Sequence, residues 1–149
     1  MKKIIAISAC LLGEKCRYDA SDNKNEALLN QLQACTLIPF CPEDAAFGSP
    51  RPTMDLIDTD NGHKALSNKT GKDLSTPVND YAKDFFDAHK NIDLFIGKDR
   101  SPSCGVCSSK LYDKDKNLLS TCEAGLMAKE ALRRGIVAVD AEVYTRKSS

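Results

Sequence analysis

The sequence predicts an α/β domain with three layers, in which a mainly parallel sheet of about four strands lies between helices. Short apolar segments alternate along the chain with amphipathic segments, and this alternation is typical of βαβ units. The 149 residues suffice for one domain, and hydrophobic and charged contents of 42% and 28% are those of a globular protein. We therefore expect residues 1–149 to form a single domain.

The four predicted strands are short apolar runs at residues 3–9, 36–40, 92–96 and 136–139. Pro42 marks the exit of the chain from the second strand, because proline fixes φ and removes a backbone donor. Amphipathic periodicity predicts helices over residues 25–34, 75–89 and 123–134. Ser75 and Pro77 are typical of the start of the second helix, and Gly135 is typical of the residue that follows the third.

Residues 44–76 show no strong periodicity and are interrupted by glycines and prolines. The interruptions are Gly48, Pro50, Pro52, Gly62 and Gly71. A stretch of this length without regular structure is often a functional lid or a binding loop. We therefore expect an irregular segment between the second strand and the second helix.

The charge balance argues against a polyanionic partner. The chain contains 21 basic and 21 acidic residues, so its bulk charge provides no attraction to nucleic acid or to an anionic membrane. The amino-terminal residues resemble a bacterial lipoprotein signal that ends at Cys10, but their apolar run is shorter than an export segment requires. No stretch approaches the length of a membrane span. We expect a cytoplasmic protein with no membrane partner.

Three of the seven cysteines, Cys10, Cys41 and Cys104, each lie where a predicted strand passes into a loop. Seven cysteines in a cytoplasmic chain indicate metal binding or catalysis rather than a disulfide framework. The carboxyl ends of parallel strands share one edge of a sheet, so we expect these three thiols to converge there. Thiolates are soft ligands that suit zinc, copper(I) and iron–sulfur clusters.

The spacing of the cysteines favours an iron–sulfur cluster over zinc. Structural zinc sites usually combine two Cys-x-x-Cys pairs, and this chain has one such pair, Cys104 and Cys107. Isolated cysteines on separate loops suit a cubane cluster, because each iron takes a single thiolate. With three cysteine ligands, the remaining iron keeps an open coordination position, as catalytic metal sites do.

The other cysteines allow several interpretations. Cys104 and Cys107 also resemble a thioredoxin-type redox pair, which makes a thiol–disulfide protein an alternative. Cys16 and Cys107 are candidates either for a substitute cluster ligand or for a thiol that contacts the ligands without binding the cluster. Cys35 is typical of a small core residue, and Cys122 of a structural or surface position.

Glu43 is the strongest candidate among the residues other than cysteine. It lies two positions after Cys41, on a segment that Pro42 turns away from the sheet. A carboxylate at this place is a candidate for proton transfer. The alternative is an ordinary carboxylate at the amino terminus of a short helix over residues 44–47.

Two loops supply candidates for substrate binding. Arg17 and Tyr18 place a bidentate donor beside an aromatic ring, either to bind a substrate or to brace the cluster loops. Ser101 and Ser103 flank Pro102 immediately before Cys104. Their hydroxyls are candidates for binding a substrate oxygen or for donating hydrogen bonds to cluster sulfides.

Taken together, these segments resemble the small proteins catalogued as domain of unknown function 523, which include the thiouracil desulfidases. The resemblance covers most of the chain in family order. It rests on the segments Ser8-Ala9-Cys10-Leu11-Leu12-Gly13, Arg17-Tyr18-Asp19, Cys41-Pro42-Glu43, Pro50-Arg51-Pro52, Gly71-Lys72-Asp73 and Ser101-Pro102-Ser103-Cys104-Gly105. Ala20 departs from the family pattern, in which glycine usually follows Tyr-Asp.

The resemblance implies an enzyme with a cubane 4Fe–4S cluster held by three cysteines, which are Cys10, Cys41 and Cys104 by position. It implies a non-redox reaction in which sulfur is removed from a thiolated pyrimidine and released as hydrosulfide. Glu43 is implied as the acid and base, and Ser101 as a hydroxyl beside the substrate. The neutral charge of this chain favours a free base or a nucleoside.

A third class of function is a non-catalytic module that holds a metal or carries sulfur to a partner. The sequence does not identify a sulfur acceptor.

Overall fold

The computed structural model describes residues 3–147, which form two four-stranded sheets with helices packed around the first. The ends of the predicted domain, residues 1–2 and 148–149, lie outside the described residues. In chain order the elements are β1 (Ile4–Ser8), a 3₁₀ turn (Ala9–Leu12), α1 (Glu26–Gln31), β2 (Thr36–Phe40), α2 (Pro42–Phe47), β3 (Met54–Thr59), β4 (Gly62–Ser67), α3 (Ser75–Ala88), β5 (Leu94–Gly97), β6 (Ser109–Tyr112), β7 (Leu118–Glu123), α4 (Leu126–Arg133), β8 (Ala138–Asp140) and α5 (Ala141–Lys147).

The first sheet has the strand order β2-β1-β5-β8, and all of its pairs are parallel. Side chains alternate between its two faces, as expected of buried strands. Ile5 and Ile7 pack on one face with Leu28 of α1 and Ala141 of α5. The opposite face packs against α3 and α4. The predicted three-layer α/β architecture is therefore confirmed.

Aromatic residues fill the core between this sheet and α3. Phe40 stacks on Phe95 with ring centroids 4.8 Å apart, and Phe85 meets Phe40 edge to face at 5.6 Å. Burial of each such side chain contributes about 1.5–3 kcal/mol. This packing holds the carboxyl ends of β2 and β5 in place. The candidate ligands Cys41 and Cys104 lie in the segments that follow these two strands.

The second sheet was not expected, and the prediction of an irregular segment over residues 44–76 is wrong. That segment contains α2 and the antiparallel pair β3 and β4, and β3 pairs in parallel with β6. Asp55 and Asp58 interrupt the apolar pattern of β3, which conceals the strand in the sequence. The Asn61-Gly62 dipeptide at the junction of the turn and β4 is a recognised hairpin signal that indicates the pair.

Several predicted boundaries also shift. The first helix ends at Gln31, and α4 begins at Leu126 because β7 occupies the preceding residues. Ser75 does not cap α3: its hydroxyl accepts a hydrogen bond from Ala65 N at 2.8 Å and ties the helix to β4. No helix within residues 3–147 is long and apolar enough to cross a membrane.

The structure bears on the alternative of a redox pair at Cys104 and Cys107. Cys107 forms a disulfide with Cys122, and this bond joins the loop before β6 to β7. Cys104 is a free and buried thiol. The alternative of a thioredoxin-type site at Cys104 and Cys107 therefore lacks its dithiol.

Candidate active site

A cavity of about 660 Å³ opens at the carboxyl ends of β1, β2 and β5, between the two sheets. Cys10, Cys41 and Cys104 all line it, together with Glu43. The three cysteines are far apart in the sequence, and the parallel sheet brings them to one edge. Residues at the start of β3 form the facing wall.

Cys10 lies in the 3₁₀ turn that follows β1. The chain turns sharply after it at Gly13, whose φ of 98° is readily adopted by glycine. Two hydrogen bonds from Asn23 hold this turn. Its backbone N–H donates to the Cys10 carbonyl at 2.9 Å, and its side-chain amide donates to the Cys10 sulfur at 3.7 Å. The thiol is buried at the cavity wall.

Cys41 is the residue before α2, and it adopts an extended backbone with Pro42 in the first turn of the helix. Its N–H donates to the Tyr81 hydroxyl at 3.3 Å, and its thiol lies 3.6 Å from the Cys16 carbonyl oxygen. Cys16 also lines the cavity, so a fourth thiol lies close to the three that the sequence analysis selected.

Cys104 lies in a loop that is held by its own serines and by α4. The Ser101 hydroxyl oxygen accepts hydrogen bonds from Cys104 N at 3.0 Å and from Ser103 N at 3.2 Å. Amides at the start of α4 donate to the carbonyl of Ser103, for example Met127 N at 2.8 Å. A Cβ at Gly97 would lie 1.8 Å from the Cys104 carbonyl oxygen, so this close approach requires glycine.

The chain beyond Cys104 is anchored by Asp140 at the end of β8. Its carboxylate accepts hydrogen bonds from Val106 N, Cys107 N and the Ser108 hydroxyl, each at 2.8 Å. Asp140 is 4% exposed. No local pattern in the sequence indicates Asp140, because the loop that it contacts lies more than thirty residues earlier in the chain.

Glu43 is buried in the first turn of α2 and held from two sides. Its Oε2 accepts a hydrogen bond from the Ser103 hydroxyl at 2.9 Å, and its Oε1 lies 3.7 Å from Arg51 Nε. Burial raises the pKa of Glu43 above its ordinary value, although the Ser103 hydrogen bond and the charge of Arg51 oppose this shift. The carboxyl therefore lies at the cavity in surroundings that favour its protonated form more than water does.

The thiols around the cavity influence one another. Burial raises the pKa of Cys10, Cys41 and Cys104, and for Cys104 the neighbouring Cys41 adds to the effect of burial. Burial therefore favours the protonated form of these three thiols, and binding of a metal would release their protons. Within the described residues, no group of three or more His, Cys, Asp or Glu side chains is clustered closely enough to hold a single metal ion. A donor set of separate thiols around a roomy cavity suits a larger, thiophilic group.

The other predicted site residues differ in whether they line the cavity. Arg17, Tyr18 and Ser101 line the cavity. Ser103 is fully buried and donates to Glu43, and it is not part of the cavity lining. Arg51, a weaker candidate from the sequence for which a surface or turn role was equally open, lies in the cavity wall beside Glu43.

Comparison with known proteins gives three findings. The sequence pattern of the family described as 2-thiouracil desulfurase matches residues 5–142. The uncharacterized protein YbbK of Bacillus subtilis (strain 168) is 29% identical over 115 residues, which cover 68% of this chain and 73% of YbbK. The solved structure of the [4Fe-4S]-dependent thiouracil desulfidase TudS, a DUF523 protein, superimposes with a TM-score of 0.71. The sequence identity is 26%, and the alignment covers 95% of this chain and 92% of TudS.

Proposed function

Because the chain belongs to the 2-thiouracil desulfurase family, we propose that it is an iron–sulfur-dependent desulfidase. In this proposal the substrate is a thiolated pyrimidine, a base or a nucleoside, and the products are the oxo-pyrimidine and hydrosulfide. The single observation that carries the proposal is the convergence of Cys10, Cys41 and Cys104 with Glu43 on one cavity. The likeness to TudS supports it.

The ligands in this proposal are the three thiolates of Cys10, Cys41 and Cys104. Their chemistry fits a cubane cluster, because each comes from a separate loop and each can serve one iron. The bound cluster would supply a Lewis acid at its open iron for the thiocarbonyl sulfur. The cysteine loops, braced by Asn23 and Ser101, would hold these thiolates in place.

Glu43 is proposed as the acid and base of the reaction. Its carboxyl lies in the cavity wall two residues after Cys41, and the Ser103 hydroxyl holds one of its oxygens. A water molecule would lose a proton to Glu43 as it adds to the carbon that carries sulfur. Glu43 would then give this proton to the sulfur, which leaves as hydrosulfide, while the new hydroxyl releases its remaining proton to solvent and becomes the oxo group. Water supplies the new oxygen, so no electrons are gained or lost.

Three lining residues are proposed to bind the pyrimidine. Ser101 is proposed to orient it through its hydroxyl, whose oxygen is held in place by the amides of Ser103 and Cys104. Tyr18 is 42% exposed and Arg17 lies over its ring at 5.4 Å. This pair offers a flat surface and a donor to a heterocycle. Ser103 is proposed to contribute by holding Glu43.

The experiment that tests the proposal is anaerobic purification followed by iron and sulfide analysis and incubation with 4-thiouracil. We expect a brown protein with about four irons per chain and conversion of 4-thiouracil to uracil, followed by the loss of the near-ultraviolet band of the thio-base. A colourless protein that takes up no iron on reconstitution would overturn the assignment of the cofactor. A protein with its cluster but without conversion would overturn the assignment of the substrate.

A further inference from the structure

The side-chain amide of Asn23 contacts the sulfur of Cys10 at the wall of the cavity. Its Nδ2 donates to Cys10 Sγ at 3.7 Å, and both residues line the cavity. The amide therefore touches the atom that is proposed to bind iron. This contact is separate from the backbone bond by which Asn23 holds the turn.

The backbone around Asn23 keeps its position without help from the side chain. Asn23 N donates to the Cys10 carbonyl at 2.9 Å. Two residues later, Asn25 N donates to the Leu11 carbonyl at 3.0 Å, and Asn25 then caps α1. Residues 23–25 are thus held along the 3₁₀ turn by main-chain bonds that a substitution at position 23 leaves in place.

Only the N–H side of the Asn23 amide suits a ligand thiolate. A cysteine bound to a metal has lost its proton, so its sulfur accepts a hydrogen bond and cannot donate one. The amide oxygen of Asn23 would repel this sulfur, whereas Nδ2 supplies a donor. Cys10 is 8% exposed, and a hydrogen bond in such poorly solvated surroundings is stronger than one in water.

We propose that Asn23 acts on the reaction through Cys10, with Asn23 Nδ2 donating to the Cys10 thiolate of the bound cluster and drawing electron density from that ligand. The inference rests on the proposed function for the cluster and for Cys10 as its ligand. Hydrogen bonds to the sulfurs help to set the reduction potential of an iron–sulfur cluster. Because the donor stabilises negative charge on the sulfur, it favours the reduced cluster, which carries one more electron.

A non-redox reaction also benefits from electron withdrawal at Cys10. A thiolate that shares its electron density with Asn23 donates less of it to iron, and iron that receives less density is the stronger Lewis acid. Asn23 would thereby increase the polarisation of the thiocarbonyl sulfur without a proton transfer of its own. It is a positioning residue, because it acts through the ligand.

The test is a redox titration of anaerobically purified protein, followed by electron paramagnetic resonance of the reduced cluster. Asn23→Ala removes the side-chain donor, while the backbone N–H that holds the turn remains. At a fixed solution potential we expect the ratio of reduced to oxidised cluster to fall about twofold to tenfold, which corresponds to the net free energy of one hydrogen bond.

Asn23→Asp should lower this ratio further, because its carboxylate donates no hydrogen bond and adds a negative charge beside the sulfur. Aspartate has nearly the shape of asparagine, so a change in this variant does not come from lost packing. Equal midpoint potentials in the unaltered protein, Asn23→Ala and Asn23→Asp would overturn the inference, and so would a rise in either variant.

The matched control is Asn30→Ala, which removes an exposed amide of α1. The side chain of Asn30 accepts a hydrogen bond from Gln33 at the surface, and its loss should leave the titration unchanged. Iron content and thermal unfolding of each variant identify loss of the cluster or of the fold. A merely structural role of Asn23 would change these two quantities and leave the midpoint potential of the retained cluster unaltered.

The outcomes distinguish this inference from the proposed function. A midpoint potential that is independent of residue 23, in a protein that converts 4-thiouracil, would overturn the inference and leave the desulfidase assignment intact. A potential that falls from asparagine to alanine to aspartate, in a protein that does not convert 4-thiouracil, would support the role of Asn23 and overturn the proposed reaction. A protein that takes up no iron would overturn both.

Discussion

Replacing Asp140 by asparagine should loosen the loop that carries Cys104. Asparagine has nearly the same shape but only one acceptor oxygen. If this oxygen takes the place of Oδ1, it keeps the bonds from Val106 N and the Ser108 hydroxyl, while the Cys107 N–H loses its acceptor and meets a donor. Loss of one buried hydrogen bond to a charged group costs about 1.5–3 kcal/mol.

We therefore expect Asp140→Asn to lower the free energy of unfolding by about 2–3 kcal/mol, which corresponds to a fall in Tm of about 4–12 °C for a domain of this size. Urea unfolding of the two proteins measures the first quantity. The Asp140→Asn protein should also lose iron faster to a chelator, because the loop of Cys104 opens more often.

Asp93 provides a matched control. Its carboxylate also accepts a backbone N–H, that of Ile4 at 2.8 Å, but at an exposed position far from the cavity. Asp93→Asn should cost less than about 1 kcal/mol and should leave the rate of iron loss unchanged. Equal stability and equal iron retention in Asp140→Asn and the unaltered protein would refute the role assigned to Asp140.

Three further perturbations have expected outcomes that single measurements check. Gly97→Ala should destabilise the fold by about 3 kcal/mol or more, measured by urea unfolding, because its Cβ would overlap the Cys104 carbonyl oxygen at 1.8 Å; an unchanged midpoint would contradict the close approach. Cys41→Ser should abolish iron retention on anaerobic purification whereas Cys35→Ser should not, and equal iron in both would contradict the ligand assignment. Cys107→Ser should lower stability by about 3 kcal/mol under oxidising conditions, from the 15-residue separation of the disulfide. Thiol titration of the unfolded chains should find one more free thiol in Cys107→Ser than in the unaltered protein, and one fewer would contradict the disulfide.

The first sheet and the convergence of its cysteines could be anticipated because both follow from local patterns. Apolar runs such as β1 and β5 are buried on both faces and remain visible in the sequence. Cys10, Cys41 and Cys104 follow such runs directly, and the shared edge of a parallel sheet brings them together. The positions of the strand ends and the parallel direction of the strands are therefore enough to predict that the three cysteines converge.

The second sheet and the supports of the site could not be anticipated in the same way. β3 carries exposed and half-buried aspartates, and β7 is largely exposed, so neither shows the apolar pattern of a buried strand. Asp140 acts through contacts with a segment distant in sequence, and no local spacing encodes such contacts. Ser103 looked like a substrate ligand next to Cys104, but the fold turns its hydroxyl to Glu43.

The central claim is that this chain removes sulfur from a thiolated pyrimidine by hydrolysis. The most direct measurement is the parallel quantification of uracil and hydrosulfide formed from 4-thiouracil by anaerobically purified protein, without any added oxidant or reductant. The account predicts equal amounts of both products, turnover that continues beyond one equivalent, and loss of both products in Glu43→Gln with its iron retained. Formation of uracil only when a reductant is added, or none at all by protein that holds its full iron content, would contradict it.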